Sequence, residues 1–168
     1  LLHAYLSCGA LPDARSLLRG EITGPNVITH NIMMNGYAKL GSLSDAVELF
    51  GRMPRRDVTS WNTLMSGYFQ GGQFLDALET FMSMRRTGDS LPNAFTFGCT
   101  MKSCGALGWH EVAPQLLGLL TKFGFEDDPD VATAIVDMFV RCGAVDFASK
   151  QFSQIERPTV FCRNSMLA

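Results

Sequence analysis

The stretch VITHNIMMNGYAKLGSLSDAVELFGRMPRRD (Val27–Asp57) and the one behind it, VTSWNTLMSGYFQGGQFLDALETFMSMRRTGDSLPN (Val58–Asn93), are two copies of one pattern. Asn31 falls on Asn62, Gly36-Tyr37 on Gly67-Tyr68, Gly41 on Gly72, Ala46 on Ala77 and Phe50 on Phe81. The pattern continues outward in both directions. Gly9, Gly41, Gly72, Gly108 and Gly143 each precede an alanine by five residues: Ala14, Ala46, Ala77, Ala113 and Ala148. Four residues beyond each alanine stands a large apolar residue: Leu18, Phe50, Phe81, Leu117 and Phe152. Successive spacings are 32, 31, 36 and 35 residues, which is the range of helix–turn–helix repeats.

Each landmark has a physical role. The glycine supplies the left-handed conformation that ends one helix and turns the chain. The alanine lets two helices approach, and the apolar residue one turn later fills the space between layers. Before each glycine lies an apolar stripe at helical spacing, as in Ile32, Met33, Met34 and Tyr37 or in Ile135, Val136, Met138 and Phe139. After it comes a second amphipathic helix, with Asp13 and Ser44 as candidate N-caps. No alternating strand pattern of useful length is present. One pair of such helices cannot bury its apolar face alone, so the pairs are expected to stack into a superhelix with a long concave surface. The nine methionines suit adaptable packing between repeats. Pro114 interrupts the second helix of its repeat. That helix is expected either to begin near Ala113, with Pro114 in its first turn, or to bend there.

Composition sets outer limits. Hydrophobic residues make up 46% of the 168 positions and charged residues 18%, which favours a packed fold over disorder. Net charge is −2, so nucleic-acid binding cannot rest on bulk positive charge. No apolar run is long enough to span a bilayer. The opening LLHAYLSCGALPDAR has no leader pattern, and CRNSMLA stops inside what reads as a new repeat. The chain is therefore expected to be an internal piece of a longer protein, with its localisation signal outside it. Cys8, Cys99, Cys104, Cys142 and Cys162 show no zinc-ligand spacing and are expected to be small buried side chains in a reducing compartment.

Two families of helical repeat have this length. The tetratricopeptide pattern keeps a regular period of about 34 residues, whereas here the period varies. VITHNIMMNGYAKLG (Val27–Gly41) and VTSWNTLMSGYFQGG (Val58–Gly72) resemble the pentatricopeptide opening, V-x-[ST]-[YW]-N followed by an apolar helix and Gly-Tyr. GSLSDAVELFGRMPRRD (Gly41–Asp57) resembles that family's second helix and its Met-Pro-x-[RK]-[DN] ending. The lengths resemble the plant PLS subclass. Residues 27–57 and 129–159 look like S motifs, 58–93 like a P motif and 94–128 like an L motif. A partial S-like motif stands at 1–26 and a partial P-like one at 160–168. Where the L motif usually has Gly-Lys, this chain has Ala113-Pro114. The resemblance implies an all-α, right-handed superhelical solenoid.

It also implies a site. In this family each repeat reads one base of single-stranded RNA: the fifth and last residues meet the base edge, and the second packs on its face. Such reading suits RNA, whose unstacked bases offer donor and acceptor edges. Carried over, Asn31 with Asp57 favours uridine, with Ile28 as the packing residue. Asn62 with Asn93 reads a pyrimidine, cytidine over uridine, with Thr59 packing. Gly98 with Asp128 is expected to discriminate little, and Phe95 is available to stack. Thr133 with Thr159 leans toward purine, although a closing Thr departs from the usual Asn or Asp. Asn26 and Asn164 are half-pairs. Asn31 and Asn62 have a second reading as helix N-caps, and Asp57 one as a solvated loop acid. Lys39 and Arg141, at equivalent places near the ends of first helices, could touch phosphates or simply be solvated.

No Ser/His/Asp, paired-carboxylate or phosphate-loop constellation appears. His3, His30 and His110 occupy non-equivalent places, and Asp127 and Asp128 read as solvated loop charge. The chain is expected not to be an enzyme and to need no cofactor or metal. The leading expectation is sequence-specific recognition of single-stranded RNA in organelle RNA processing, foremost at C-to-U editing sites. The setting implied is a mitochondrion or chloroplast, with editing or other processing factors as further partners and no role for DNA or membrane. The alternative is a protein–protein interaction scaffold built on the same helical surface.

Overall fold

The structure, a computed structural model, describes residues 26–155 and 158–167 throughout and, before them, residues 6, 8–10, 12, 13 and 16. The described chain is helical. Helix α1 spans Val27–Lys39, α2 Leu43–Arg52, α3 Val58–Gln70 and α4 Phe74–Thr87. Then come α5 Ala94–Leu107, α6 Ala113–Phe123, α7 Pro129–Arg141, α8 Val145–Gln154 and α9 Val160–Ser165. Odd-numbered helices open the repeats and stack on one another in a row. Helices α2, α4 and α6 each pack on the odd helix before and the odd helix after, and α8 packs on α7. No described helix is long and apolar enough to cross a membrane.

Gly9, Gly41, Gly72, Gly108 and Gly143 all have positive φ, between 66° and 77°, and so make the turn between the two helices of each repeat. Ala46, Ala77, Ala113 and Ala148 are essentially without exposure, as a close helix contact requires. The partner residues follow less uniformly. Phe50 and Phe81 are buried, but Leu117 and Phe152 are only half-buried, and Leu116 and Leu120 fill the core of the third full repeat instead. Ala14, Leu18 and His3 lie outside the described residues. Helix α6 begins at Ala113 with Pro114 in its first turn, where the missing N–H costs nothing. The candidate caps move: α2 starts one residue before Ser44, with Ser42 in the cap position, and Asp13 is already helical. Cys99, Cys104 and Cys162 are buried and Cys142 is half-buried. Cys8 is exposed, against expectation.

The core runs the length of the array as two clusters. They meet in the Val58–Asn93 repeat, where Met65 and Phe81 belong to one and Trp61, Leu64 and Met84 to the other. Met33, Met34, Met65, Met84, Met101 and Met138 have no exposure at all, so methionine is the main filler between layers. Helices α5 and α7 approach closely at Gly105. A Cβ on Gly105 would stand 3.0 Å from Met138 Cα and 3.5 Å from Arg141 Cβ. That neighbour is main chain and cannot swing aside.

Gly105→Val should therefore force α5 and α7 apart and cost about 1–3 kcal/mol by overpacking. Gly118, mid-helix with nothing within 4 Å of its would-be Cβ, is the control. There Gly118→Ala should gain about 0.5–1 kcal/mol from helix propensity alone. Urea denaturation of both variants checks the pair of opposite signs.

Candidate nucleic-acid interface

The site starts from the way the odd helices begin. Each is capped by the side chain immediately before it. Asn26 accepts from Thr29 N–H at 3.0 Å, Asp57 from Ser60 N–H at 2.7 Å and Asn93 from Thr96 N–H at 3.0 Å. Asp128 accepts from Asp130 and Val131 N–H, and Thr159 from Cys162 N–H. None of α2, α4, α6 or α8 has a side-chain cap. The cap residues are the last residues of the repeats. Asn31 and Asn62, by contrast, lie one turn inside α1 and α3, so they are not N-caps. Asp57 and Asp128 are likewise caps rather than free loop acids.

Capping fixes one oxygen of each closing side chain and brings it to the fifth residue of its own repeat. Asn31 Nδ2 donates to Asp57 Oδ1 across 3.2 Å, and Asn62 Nδ2 donates to Asn93 Oδ1 across 3.1 Å. Thr133 gives its proton to Pro129 O at 2.8 Å, so the 3.2 Å contact between Thr133 and Thr159 hydroxyls is donated by Thr159. Gly98 and Asp128 do not pair, because Gly98 carries no side chain and a Cβ there would meet nothing within 4 Å. Asn26 caps α1 and is exposed, and Asn164 is exposed on α9.

One open groove of about 580 Å³ collects the first two pairs. Its lining includes Asn31, Asp57, Asn62 and Asn93 together with Ile28, Thr59 and Phe95. Ile28 and Phe95 are 65% and 58% exposed, which leaves apolar faces open to stacking. Asn35 and Ser66, one turn beyond the paired asparagines, also line it and follow from the i,i+4 rule. Lys39 is exposed at the end of α1 and outside the groove lining. Arg141 Nε donates to Asp137 Oδ2 at 2.8 Å, so its charge is already engaged within the protein.

The polar groups turned toward a ligand differ between the two pairs. Asp57 Oδ1 receives Ser60 N–H, the Ser60 hydroxyl and the Asn31 amide, while Oδ2 has no hydrogen bond among the described residues. Asp57 thus offers an acceptor. Asn93 spends its oxygen on the cap and on Asn62, so it offers its Nδ2 donor. Burial pushes the Asp57 carboxyl up, but the hydrogen bonds from Ser60 and Asn31 outweigh it and hold the pKa below the ordinary 3.8. Arg56 fixes the loop that delivers Asp57. Its Nε and Nη2 donate to Phe50 O and Gly51 O, its guanidinium lies 4.7 Å over the Phe50 ring, and its own carbonyl accepts from the Ser90 hydroxyl. The basic residue of the Met-Pro-x-[RK]-[DN] ending carried this signal.

A model of the PPR repeat family matches residues 56–106, and a PPR repeat model matches residues 28–58. A pentatricopeptide repeat-containing protein of Arabidopsis thaliana is 37% identical over 146 residues, covering 87% of this chain and 21% of the relative. Another from the same plant, named mitochondrial, is 36% identical over 85% of this chain and 22% of its own length. A third, named chloroplastic, is 31% identical over 96% of this chain and 19% of its own. The chain spans about a fifth of the length of these curated relatives. Among solved structures, the crystal structure of the pentatricopeptide repeat protein PPR10 from maize superimposes with a TM-score of 0.75. It is 22% identical and covers 99% of this chain and 25% of that one. PPR10 in complex with an 18-nt psaJ RNA element superimposes at 0.64, with 23% identity over 84% of this chain and 22% of that one.

The lowered pKa of Asp57 has a consequence for stability. A depressed carboxyl stabilises the fold above its unfolded pKa, and that contribution is lost as pH falls through the folded value. The stability difference between the protein and Asp57→Asn, which keeps the cap but cannot titrate, should hold steady above 3.8 and shrink below it. Urea midpoints measured through the acid range check this.

Proposed function

The chain belongs to the pentatricopeptide repeat family, and from that premise we propose that it binds single-stranded RNA through the groove across α1, α3 and the start of α5, one base per repeat. The observation that carries the proposal is the pair of capped, interlocked couples Asn31–Asp57 and Asn62–Asn93 in one groove. Their chemistry differs as two pyrimidines differ. Uridine presents an N3–H, which Asp57 Oδ2 accepts. Cytidine presents a bare N3, to which Asn93 Nδ2 donates. Ile28, Thr59 and Phe95 pack against the base faces, where stacking tolerates any base.

The remaining repeats contribute unequally. Gly98 offers nothing to a base edge, so residues 94–128 hold a nucleotide by Phe95 with little discrimination. Thr133 and Thr159 present hydroxyls and read weakly, with a lean toward purine. Asn26 and Asn164 are half-pairs and add no complete couple. Of the two candidate phosphate contacts, Lys39 has no ion pair among the described residues, whereas Arg141 shares its charge with Asp137. With a net charge of −2, base-edge contacts carry more of the affinity than charge does.

The fold and RNA-bound state of PPR10 support RNA as the partner, and the mitochondrial and chloroplastic names of relatives support an organelle setting. Repeat lengths of 31, 36, 35 and 31 residues over 27–57, 58–93, 94–128 and 129–159 support a PLS arrangement of S, P, L and S motifs. On that arrangement the RNA is a transcript awaiting C-to-U editing, and the array locates the site as a binding module, not an enzyme, for processing factors.

Exchanging the closing residues should exchange the bases. Asp57→Asn replaces an acceptor with a donor and should move the preference at its RNA position from uridine toward cytidine by about tenfold. Asn93→Asp should move its neighbour the other way. The check is binding to single-stranded RNAs that vary two adjacent positions. Unchanged preferences in both variants would falsify base reading by these couples.

A further inference from the structure

The third residue of α3, α5, α7 and α9 is fully buried, and its chemistry tracks the fifth residue of the repeat before it. Behind Asn31 stands Ser60, behind Asn62 stands Thr96 and behind Thr133 stands Cys162, all at 0% exposure. Behind Gly98, which has no side chain to meet, stands Val131, also at 0%. The contacts follow the same rule. Thr96 Oγ1 lies 2.7 Å from Asn62 Oδ1 and 2.9 Å from Asn93 Oδ1, and it accepts Asn93 N–H at 3.1 Å. Cys162 N–H donates to Thr159 Oγ1 at 3.1 Å, and that hydroxyl meets Thr133 Oγ1 at 3.2 Å. Ser60 Oγ lies 2.8 Å from Asp57 Oδ1, and Asn31 Oδ1 is left buried without a partner.

We propose that this buried hydroxyl, contributed by the following repeat, is a specificity-determining residue: it locks the orientation of the fifth-position amide that bonds the closing residue, and so keeps the couple rigid against a base. The inference rests on the base-reading proposal and adds a third member, Thr96, to the Asn62–Asn93 couple. The constraint is one of counting. Thr96 N–H holds Asn93 Oδ1 in the cap, so Asn62 must turn Nδ2 toward that oxygen. Asn62 Oδ1 then points into the core, where the Thr96 proton is its donor. Without the hydroxyl that oxygen is stranded, the amide is released from its single orientation, and Asn93 Oδ1, still held by Thr96 N–H, loses a steady Asn62 donor. At the first couple the Ser60 proton is on Asp57.

The test is selection of bound sequences from a randomised 12-nucleotide single-stranded RNA pool, with thermal denaturation alongside. Thr96→Val keeps shape and removes the hydroxyl. It should shrink the base preference at the Asn62–Asn93 position by about threefold to tenfold, the worth of one hydrogen bond, and leave other positions as they were. Thr96→Ser should restore it. Equal weakening for all RNAs, with the preference intact, would mean that Thr96 only holds the fold and would overturn the proposal. If Thr96→Val does not fold, Ser60→Ala gives the same readout at the Asn31–Asp57 position. The double variant Asn62→Ala with Asn93→Ala separates the two layers. If it too leaves the preference unmoved, base reading itself fails and the third residue's role goes with it. If only Thr96→Val leaves it unmoved, base reading stands and this inference alone falls.

Discussion

Everything at the groove depends on the side-chain cap at the start of each odd helix. The first N–H groups of a helix have no partner within it, and here Asn26, Asp57, Asn93, Asp128 and Thr159 supply one. A backbone N–H cannot move without moving the helix, so the capping oxygen is held as firmly as the main chain. The fifth residue of the preceding repeat then bonds to a fixed point. Two flexible polar side chains on different helices thereby become a rigid pair, which is what discrimination between bases of similar shape requires.

The variable repeat length is absorbed where it does no harm. Odd helices α1, α3, α5 and α7 have 13, 13, 14 and 13 residues, whereas even helices α2, α4, α6 and α8 have 10, 14, 11 and 10. The longer repeats also end their even helices on Gly88 and Gly124 in the left-handed conformation, while the shorter ones leave through extended Met53 and Ile155. The odd helices thus differ by one residue at most, and the other extra residues fall in the even helices, the exit at 88–93 and the turn at 108–112. The odd helices, which carry Asn31, Asn62 and Thr133, stack layer on layer through buried methionine, with Gly105 at the crossing of α5 and α7.

Much of the site was legible as positions but not as roles. The register of Asn31, Asn62, Gly98 and Thr133 against Asp57, Asn93, Asp128 and Thr159 could be laid out from the repeat alone. Their division of labour could not. Spacing suggested that the asparagines might cap, yet the helices begin four residues earlier and the closing residues cap instead. The sign was present in Asn26–Thr29, Asp57–Ser60 and Asn93–Thr96, an Asx followed three residues later by a hydroxyl, as in a capping box. Arg141 read as the equal of Lys39 because a one-dimensional register does not show that Asp137, one turn away and nearly buried, holds it.

The sequence by itself determined the helices, the turns and the core. These follow from local conformational preference and from apolar periodicity, and both are properties of neighbouring residues. Only the tertiary structure decided which atoms face a ligand. That choice hangs on hydrogen bonds between residues about thirty positions apart, as in Asn62 to Thr96 and Asn31 to Asp57. A proton shared among three side chains has no signature in any one of them.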